Sequence, residues 1–539
     1  MQAKSVISQN GQTQQKSKLE AGPAEKKKIG GSTMMFVNNC VGDVILTIAC
    51  RFGQLGLPLG VFLLTTAFLY EVWAFRVIGK ACAFSDAGDL LDLMKKCYNK
   101  KIAMFIDVCA VLMLFAVQIC YTIIISSYIH QAYDLITKTP MCVEDVVCEE
   151  HFKKVETIIR LIIGFTILPF EDLITSVNVL NFISSFAVIF VSITLVCIIG
   201  RSTQTLITGK LAFDDIFVPR QPVMPYKPNF FDIFIDFTGM FAMFSLQPVI
   251  PPLYEELVGS REIKKYILGK ASDIASFVLY LMYMITAIMG CLVFYGENQP
   301  HYRNDNILVN YASADVLMSI IRIMYVLVVM IGYPVVIYQI RASMASWFGI
   351  DRKTTCSKVT FVSMGLIATF ICSTVAMFTP SILVIFDPFC AVFGCVLFQI
   401  MPLMVWYKLP KLEKESEPEQ DCGYDLDKRV ARQSIISIAV NMVGGGRRSI
   451  KGVNRQLSAS FIANARPSLI AAQIGIEDSH DSDVLVGDEK GKAQTDAAAE
   501  AKMWKRRKMI FYPALIGTIL FNTVSFGVSL YHIAHGEEE

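Results

Sequence analysis

Phe244-Ser245-Leu246-Gln247-Pro248-Val249-Ile250-Pro251-Pro252-Leu253-Tyr254-Glu255-Glu256-Leu257 closes an apolar run that begins near residue 231. The run is long enough to span a membrane, which takes about 20 mostly apolar residues. It cannot be a regular helix throughout. Pro248, Pro251 and Pro252 each lack a backbone donor and strain the preceding turn. In hydrocarbon every backbone polar group needs a partner, so irregular backbone is tolerated only where it lines a cavity. The plainer reading is a helix end near the membrane surface, since Glu255 and Glu256 must be near water.

A second interrupted span opens the apolar part of the chain. Asn38-Asn39-Cys40-Val41-Gly42-Asp43 lies within the run 34–54. Gly42 permits a break there, which frees backbone N–H and C=O groups at mid-membrane. Free N–H groups grip a carboxylate, and free C=O groups grip an ammonium or a cation. An amino acid has both needs. Asn38 adds a side-chain oxygen for an ion. A kinked helix whose polar residues pack against neighbours is the alternative. Asp43 is a carboxylate within the membrane, where charge is costly and therefore functional by default. It can pair with a substrate amine, bind a cation, carry a coupled proton, or favour arginine and lysine. It can also face a water-filled vestibule or pair with Arg51.

Nine further apolar runs surround these two, at 57–77, 102–127, 155–169, 176–200, 271–294, 314–338, 359–378, 383–407 and 508–533. The expected protein is all-α and polytopic, with about 11 transmembrane helices. The two interrupted spans stand first and sixth, at corresponding places in two five-helix halves, as in inverted-repeat transporters. Composition agrees: the chain is 54% hydrophobic and 18% charged, with a mean hydropathy of +0.48. The net charge of +2 points to neither nucleic acid nor an acidic partner. Orientation follows from the short loops. Lys80, Lys95, Lys96, Lys100 and Lys101, then Arg261, Lys264, Lys265 and Lys270, then Arg341, Arg352, Lys353 and Lys358 all fall on one side. That side, with the N-terminus, is expected to be cytoplasmic. Loop 201–229, with Arg201, Lys210, Arg220 and Lys227, is the exception.

Residues 1–32 read as a disordered cytoplasmic tail, with no cleavable signal peptide. Residues 33–408 form the ten-helix core. Residues 409–504, with the glycine triplet 444–446, read as a disordered cytoplasmic insert. Arg447-Arg448-Ser449 and Arg455-x-x-Ser458 in it suit basophilic kinases, or simply stay solvated. Residues 505–539 supply the last helix and a short outer tail. The stretch 84–98 reads as a short amphipathic helix on the cytoplasmic surface. Of the fifteen cysteines, most lie in apolar runs as small hydrophobes. Cys142 and Cys148 lie in a polar loop and can pair if it faces an oxidising compartment. No metal-ligand cluster, nucleophile–base pair or phosphate loop stands out. An enzyme, a metal site and a cofactor are therefore not expected.

The run Gln247 to Leu257 closely resembles the H-P-x-V-L-P-I-Y-x-E-L signature of the amino acid/auxin permease family. Leu281 to Tyr295 is similar to that family's seventh span, and Tyr333-Pro334-Val335-Val336-Ile337-Tyr338-Gln339-Ile340-Arg341 to its eighth. Pro380-Ser381-Ile382 with Ile385-Phe386 is similar to its ninth-to-tenth connection, and Gly42 to Gly56 to its G-x-G-I-L-x-L-P stretch. The resemblance implies a five-plus-five inverted repeat, like the bacterial leucine transporter of the amino acid–polyamine–cation superfamily, plus one extra helix. It implies substrate at the two breaks, where Val41, Gly42, Ser245, Leu246 and Gln247 lie, and Asp43, a carboxylate in place of a usually small residue, is the further candidate there. It implies an ion beside Asn38; Asp43, which replaces a usually small residue of the family, and Gly332, whose backbone carbonyl would have to stand in for the missing threonine, are the other candidate ion-coupling positions. The departures are Val44 for the second motif glycine, Ala49 for the motif proline, Gln247 for the histidine and Gly332 for a sodium-binding threonine.

The expected protein is thus a monomeric secondary active carrier, in the plasma membrane or a vacuolar or lysosomal membrane. It moves neutral or cationic amino acids by alternating access, coupled to H+ or Na+. The rival is a transporter-like sensor that signals through 409–504.

Overall fold

The computed structural model describes residues 23–42, 44–137, 146–173, 177–209, 230, 232–294, 305–312, 314–350, 355–379, 381–416 and 482–535. All the regular structure in them is helical. The helices are α1 (Pro23–Val41), α2 (Val44–Leu55), α3 (Leu57–Ser85), α4 (Leu90–Cys97), α5 (Lys100–Thr137), α6 (Val146–Ile162), α7 (Leu168–Glu171) and α8 (Val177–Thr208). There follow α9 (Asp232–Ala242), α10 (Ile250–Glu256), α11 (Arg261–Phe294), α12 (Val316–Trp347), α13 (Thr355–Phe378), α14 (Ile382–Phe389), α15 (Met401–Ser416) and α16 (Ser482–His535). The chain divides into two compact units, Met1–Glu413 with Phe511–Glu539, and Lys414–Ile510. In the second, residues 414–416 and 482–510 are helical.

Among the described residues, nine helices are long and apolar enough to cross a membrane, or ten if the bent pair α1–α2 counts as one span. This differs from the expected eleven at the run 155–169. There α6 carries a polar first half, Val146 to Lys154, and the helix loosens into a π-helical turn at Ile163–Ile167 before Pro169. The amphipathic surface helix is α4. It buries Leu90, Leu91, Leu93, Met94 and Cys97, and Asp89 caps it by accepting from the Asp92 amide. Asp43, Cys142 and the side chains of Cys148 and Asp232 lie outside the described residues.

Local signals set the element ends. Gly56, at φ 77°, lies in the left-handed region that glycine enters without cost, and it separates α2 from α3. Pro58 then sits in the first turn of α3, where a missing N–H does no harm. Asp315 caps α12 by accepting from the amides of Leu317 and Met318. α5 is the most buried of the spans and stands at the centre, against α12, α13 and α14. α8 and α16 stand at the rim, turning Ile189, Val196, Ile516 and Leu520 outward. The membrane part of α16 is fixed by Asn522, whose amide donates to Gln399 Oε1 at 2.9 Å and whose oxygen accepts from Thr238 at 3.3 Å.

Candidate functional site

The first span breaks where the sequence places it. α1 ends at Val41, α2 begins at Val44, and the two axes differ by 56°. Gly42 does not adopt a positive φ. Its lack of a side chain serves a close approach instead. A Cβ there would overlap the Tyr121 hydroxyl and stand 3.0 Å from Tyr121 Cε1. The same phenol faces Gly332 on α12, where a Cβ would meet it at 3.3 Å. Tyr121 of α5 therefore fills the space between the break and the position expected to help couple an ion.

The sixth span breaks earlier than its prolines suggest. α9 ends at Ala242, the chain unwinds through Met243–Leu246, and a 3-10 turn, Gln247–Val249, leads into α10. Pro251 and Pro252 occupy the first turn of α10, where no intrahelical donor is needed. They begin the second half-helix and do not cause the break.

The freed carbonyls are taken up by tyrosine hydroxyls. Tyr283 of α11 donates to Cys40 O at 2.7 Å and to Met243 O at 2.9 Å, so one hydroxyl serves both breaks. Tyr325 of α12 donates to Val41 O at 3.2 Å and to Gly42 O. An unmatched buried carbonyl costs about 1–3 kcal/mol. Tyr283→Phe is therefore expected to destabilise the protein by about that amount. A thermal unfolding midpoint in detergent equal to the parent's would contradict this.

A cavity of about 40 Å³ lies between the breaks, bounded by Asn39, Cys40, Val44, Tyr121 and Ser245. Such a volume holds only a few waters. Through Ala110, Pro248 and Gln339 it adjoins a vestibule of about 260 Å³. Four carboxylates, Asp89, Asp107, Glu255 and Glu256, line the vestibule, and among the described residues no lysine or arginine does. Asp107 is anchored by Trp347 Nε1 at 2.5 Å and Ser343 Oγ at 3.2 Å.

The vestibule lies toward the C-terminal end of α12, at Val335 to Ser346. At the N-terminal end of α12, hydrogen bonds and ion pairs tie the elements together. Arg322 donates to Leu308 O at 3.0 Å and holds the segment 305–312. That segment bonds to α2 through Ile307 N and Leu46 O at 2.9 Å. It bonds to α14 through Leu383 N and Asp305 Oδ2 at 2.9 Å, and to α5 through Tyr128 and Asn306 Oδ1 at 2.8 Å. Next to it, Arg51 of α2 is fully buried between Asp236 of α9, at 3.0 Å, and Asp387 of α14. Gly239 gives the guanidinium its passage, since a Cβ there would stand 2.6 Å from Arg51 Nη1.

Of the expected site residues, Ser245 borders the cavity, while Val41 and Gly42 present carbonyls held by Tyr325. Leu246 is buried in the apolar core, and the Gln247 amide donates to Glu71 of α3. Asn38 is buried, and its neighbour Asn39 borders the cavity. Gly332 faces Tyr121. Asp43 lies outside the described residues. The tyrosines 121, 283 and 325 carry no sequence signal, because an aromatic in an apolar run reads as core. Arg51 with two distant aspartates is traceable only as charge in the membrane, which is expensive unless paired.

A family profile described as transmembrane amino acid transporter protein matches residues 25–420. Among solved structures, the chain is similar to the Eremococcus coleocola manganese transporter, at 11% identity and a TM-score of 0.48, over 94% of this chain and 97% of that one. It is also similar to Mhp1, a nucleobase-cation-symport-1 family transporter in a closed conformation with bromovinylhydantoin bound. That match has 13% identity and a TM-score of 0.42, over 70% of this chain and 77% of the other.

Proposed function

The chain belongs to the transmembrane amino acid transporter family, and from that premise we propose a secondary active carrier that moves amino acids by alternating access. One observation carries the mechanism. The two broken spans flank a small cavity that adjoins a vestibule at one end, while ion pairs and a bonded segment seal the other. A carrier closed on one side and approachable from the other has this asymmetry; a channel pore does not.

The vestibule is bordered by residues 88–91, 255–256 and 342–346, next to the lysine- and arginine-rich loops. By the positive-inside rule it faces the cytoplasm, and the sealed end faces outward or toward a lumen. Substrate is held near Val41, Gly42, Asp43, Ser245, Leu246 and Gln247. Asp43, together with the four vestibule carboxylates, supports an amine-bearing substrate, neutral or cationic. The cavity is smaller than such a substrate, so binding requires the two breaks to part. Tyr283, which bonds to both, is the group that must yield.

The test is uptake by proteoliposomes that contain the full chain, over a panel of labelled amino acids. Saturable flux that unlabelled substrate accelerates in counterflow is expected. Absence of flux for every amino acid, with substrate-dependent binding of a partner to 409–504, would replace the carrier by a sensor.

A further inference from the structure

We propose that Glu71 and Gln247 form the proton site of the carrier, with Glu71 holding as a neutral acid the proton that moves with the amino acid. This rests on the transport reading above and extends it to the coupling ion.

Glu71 lies midway along α3, and both it and Gln247 are fully buried. Gln247 begins the turn that follows the break in the sixth span, and its Nε2 donates to Glu71 Oε2. Two atoms of the pair then have no partner among the described residues, Glu71 Oε1 and Gln247 Oε1. Both are acceptors. An ionised carboxylate only accepts, so it leaves both oxygens unmatched. A proton on Oε1 turns that oxygen from an unmatched acceptor into a donor. Gln247 Oε1, unmatched on the same pair, is the acceptor it would use, while the amide N–H keeps its bond to Glu71 Oε2. The charge is also the wrong form for this place, because an unpaired buried carboxylate costs several kcal/mol. No lysine or arginine among the described residues forms an ion pair with Glu71.

The surrounding groups leave this role open. The Cys40 thiol of α1 and the Tyr70 phenol of α3 are the titratable groups beside Glu71. On the other elements packed against α3, Asp236 is held by Arg51 and Asp273 by Arg76, and Asp92 of α4 pairs with Lys96. Glu255 and Glu256 line the vestibule. The remaining charges of α11 fall in its first turns, Arg261 to Lys270.

The position of the pair supplies the coupling. Gln247 belongs to the joint that must move when the sixth span rearranges. While the joint is in place, the acid keeps its proton. When the turn carries the amide away and water enters, the acid becomes a carboxylate and the proton passes to that water. Protonation from the opposite side resets the pair.

Proteoliposomes that contain the full chain test this with the labelled amino acid giving the largest counterflow. At one proton per amino acid, an inward pH step of about one unit drives about tenfold accumulation, since 1.4 kcal/mol is a factor of ten. The parent is expected to accumulate the amino acid under that step without sodium. Glu71→Gln, which mimics the neutral acid, is expected to keep counterflow, lose accumulation, and show a flat pH profile. Proton-driven accumulation in Glu71→Gln overturns the proposal. So does a parent driven by a sodium gradient alone. A parent without counterflow defeats the transport reading itself. Where Glu71→Gln does not fold, infrared spectroscopy decides. The parent at neutral pH should show the carbonyl band of a buried protonated acid, shifted in Gln247→Leu, and its absence overturns the proposal.

Discussion

Arg51→Met is expected to destabilise the protein by about 3–5 kcal/mol, the usual cost of removing one partner from a buried ion pair. Arg51 is fully buried and joins Asp236 to Asp387, so its loss leaves two carboxylates close together without their cation. The three residues come from α2, α9 and α14, and the first two are the half-helices on the sealed side of the breaks. Their mutual repulsion should part these elements. Two measurements check this. The thermal midpoint in detergent should fall. A cysteine placed in the central cavity should also become reactive toward a reagent applied at the sealed end. Combining Arg51→Met with Asp236→Asn and Asp387→Asn should recover much of the stability, because the uncompensated charge is gone, but not the transport. A stable, transport-competent Arg51→Met would remove the trio from the gate.

Gly42→Val is expected to abolish transport and to cost about 1–3 kcal/mol by overpacking. The new side chain would overlap the Tyr121 ring, which is confined on its other side by Gly332. Tyr121→Ala alone should cost about 3–5 kcal/mol through the cavity it leaves. In the double variant the two defects partly cancel, because valine enters the space the ring gave up. The measured quantity is the coupling energy of this cycle, expected at about 0.5–3 kcal/mol. Strict additivity would show that Gly42 and Tyr121 do not press on one another.

Much of the fold was legible because hydrocarbon imposes one rule. Long apolar runs must be helices, and so the runs at 57–77, 102–127 and 271–294 lie within α3, α5 and α11. The two breaks were legible for the same reason, as Gly42 and the prolines stand out against regular spans. The position of the second break was not. Proline marks where a helix can start as well as where it fails, and the unwound stretch Met243–Leu246 contains no breaker at all. Nor was the reason for Gly42 legible. A glycine that bends a chain and a glycine that makes room for a distant tyrosine look alike in one dimension. The family departures at Gly332 and Ala49 find their meaning in packing. Gly332 faces Tyr121. Ala49 is fully buried beside Gly290, where a Cβ would overlap its own. Charge pairing across 185 residues, as between Arg51 and Asp236, is invisible to any local pattern.

In the alternating-access cycle proposed above, the bridging phenol has a consequence for speed. Tyr283 has one proton and two claimants, the carbonyls of Cys40 and Met243. When one half-helix swings relative to the other, either bond can lengthen as the other shortens. The hydroxyl is then never stranded along the path. A joint built on two independent bonds would have to break one outright and climb the full desolvation penalty before remaking it. Sharing a single donor flattens that climb, so the tyrosine acts as a lubricated bearing as much as a clasp.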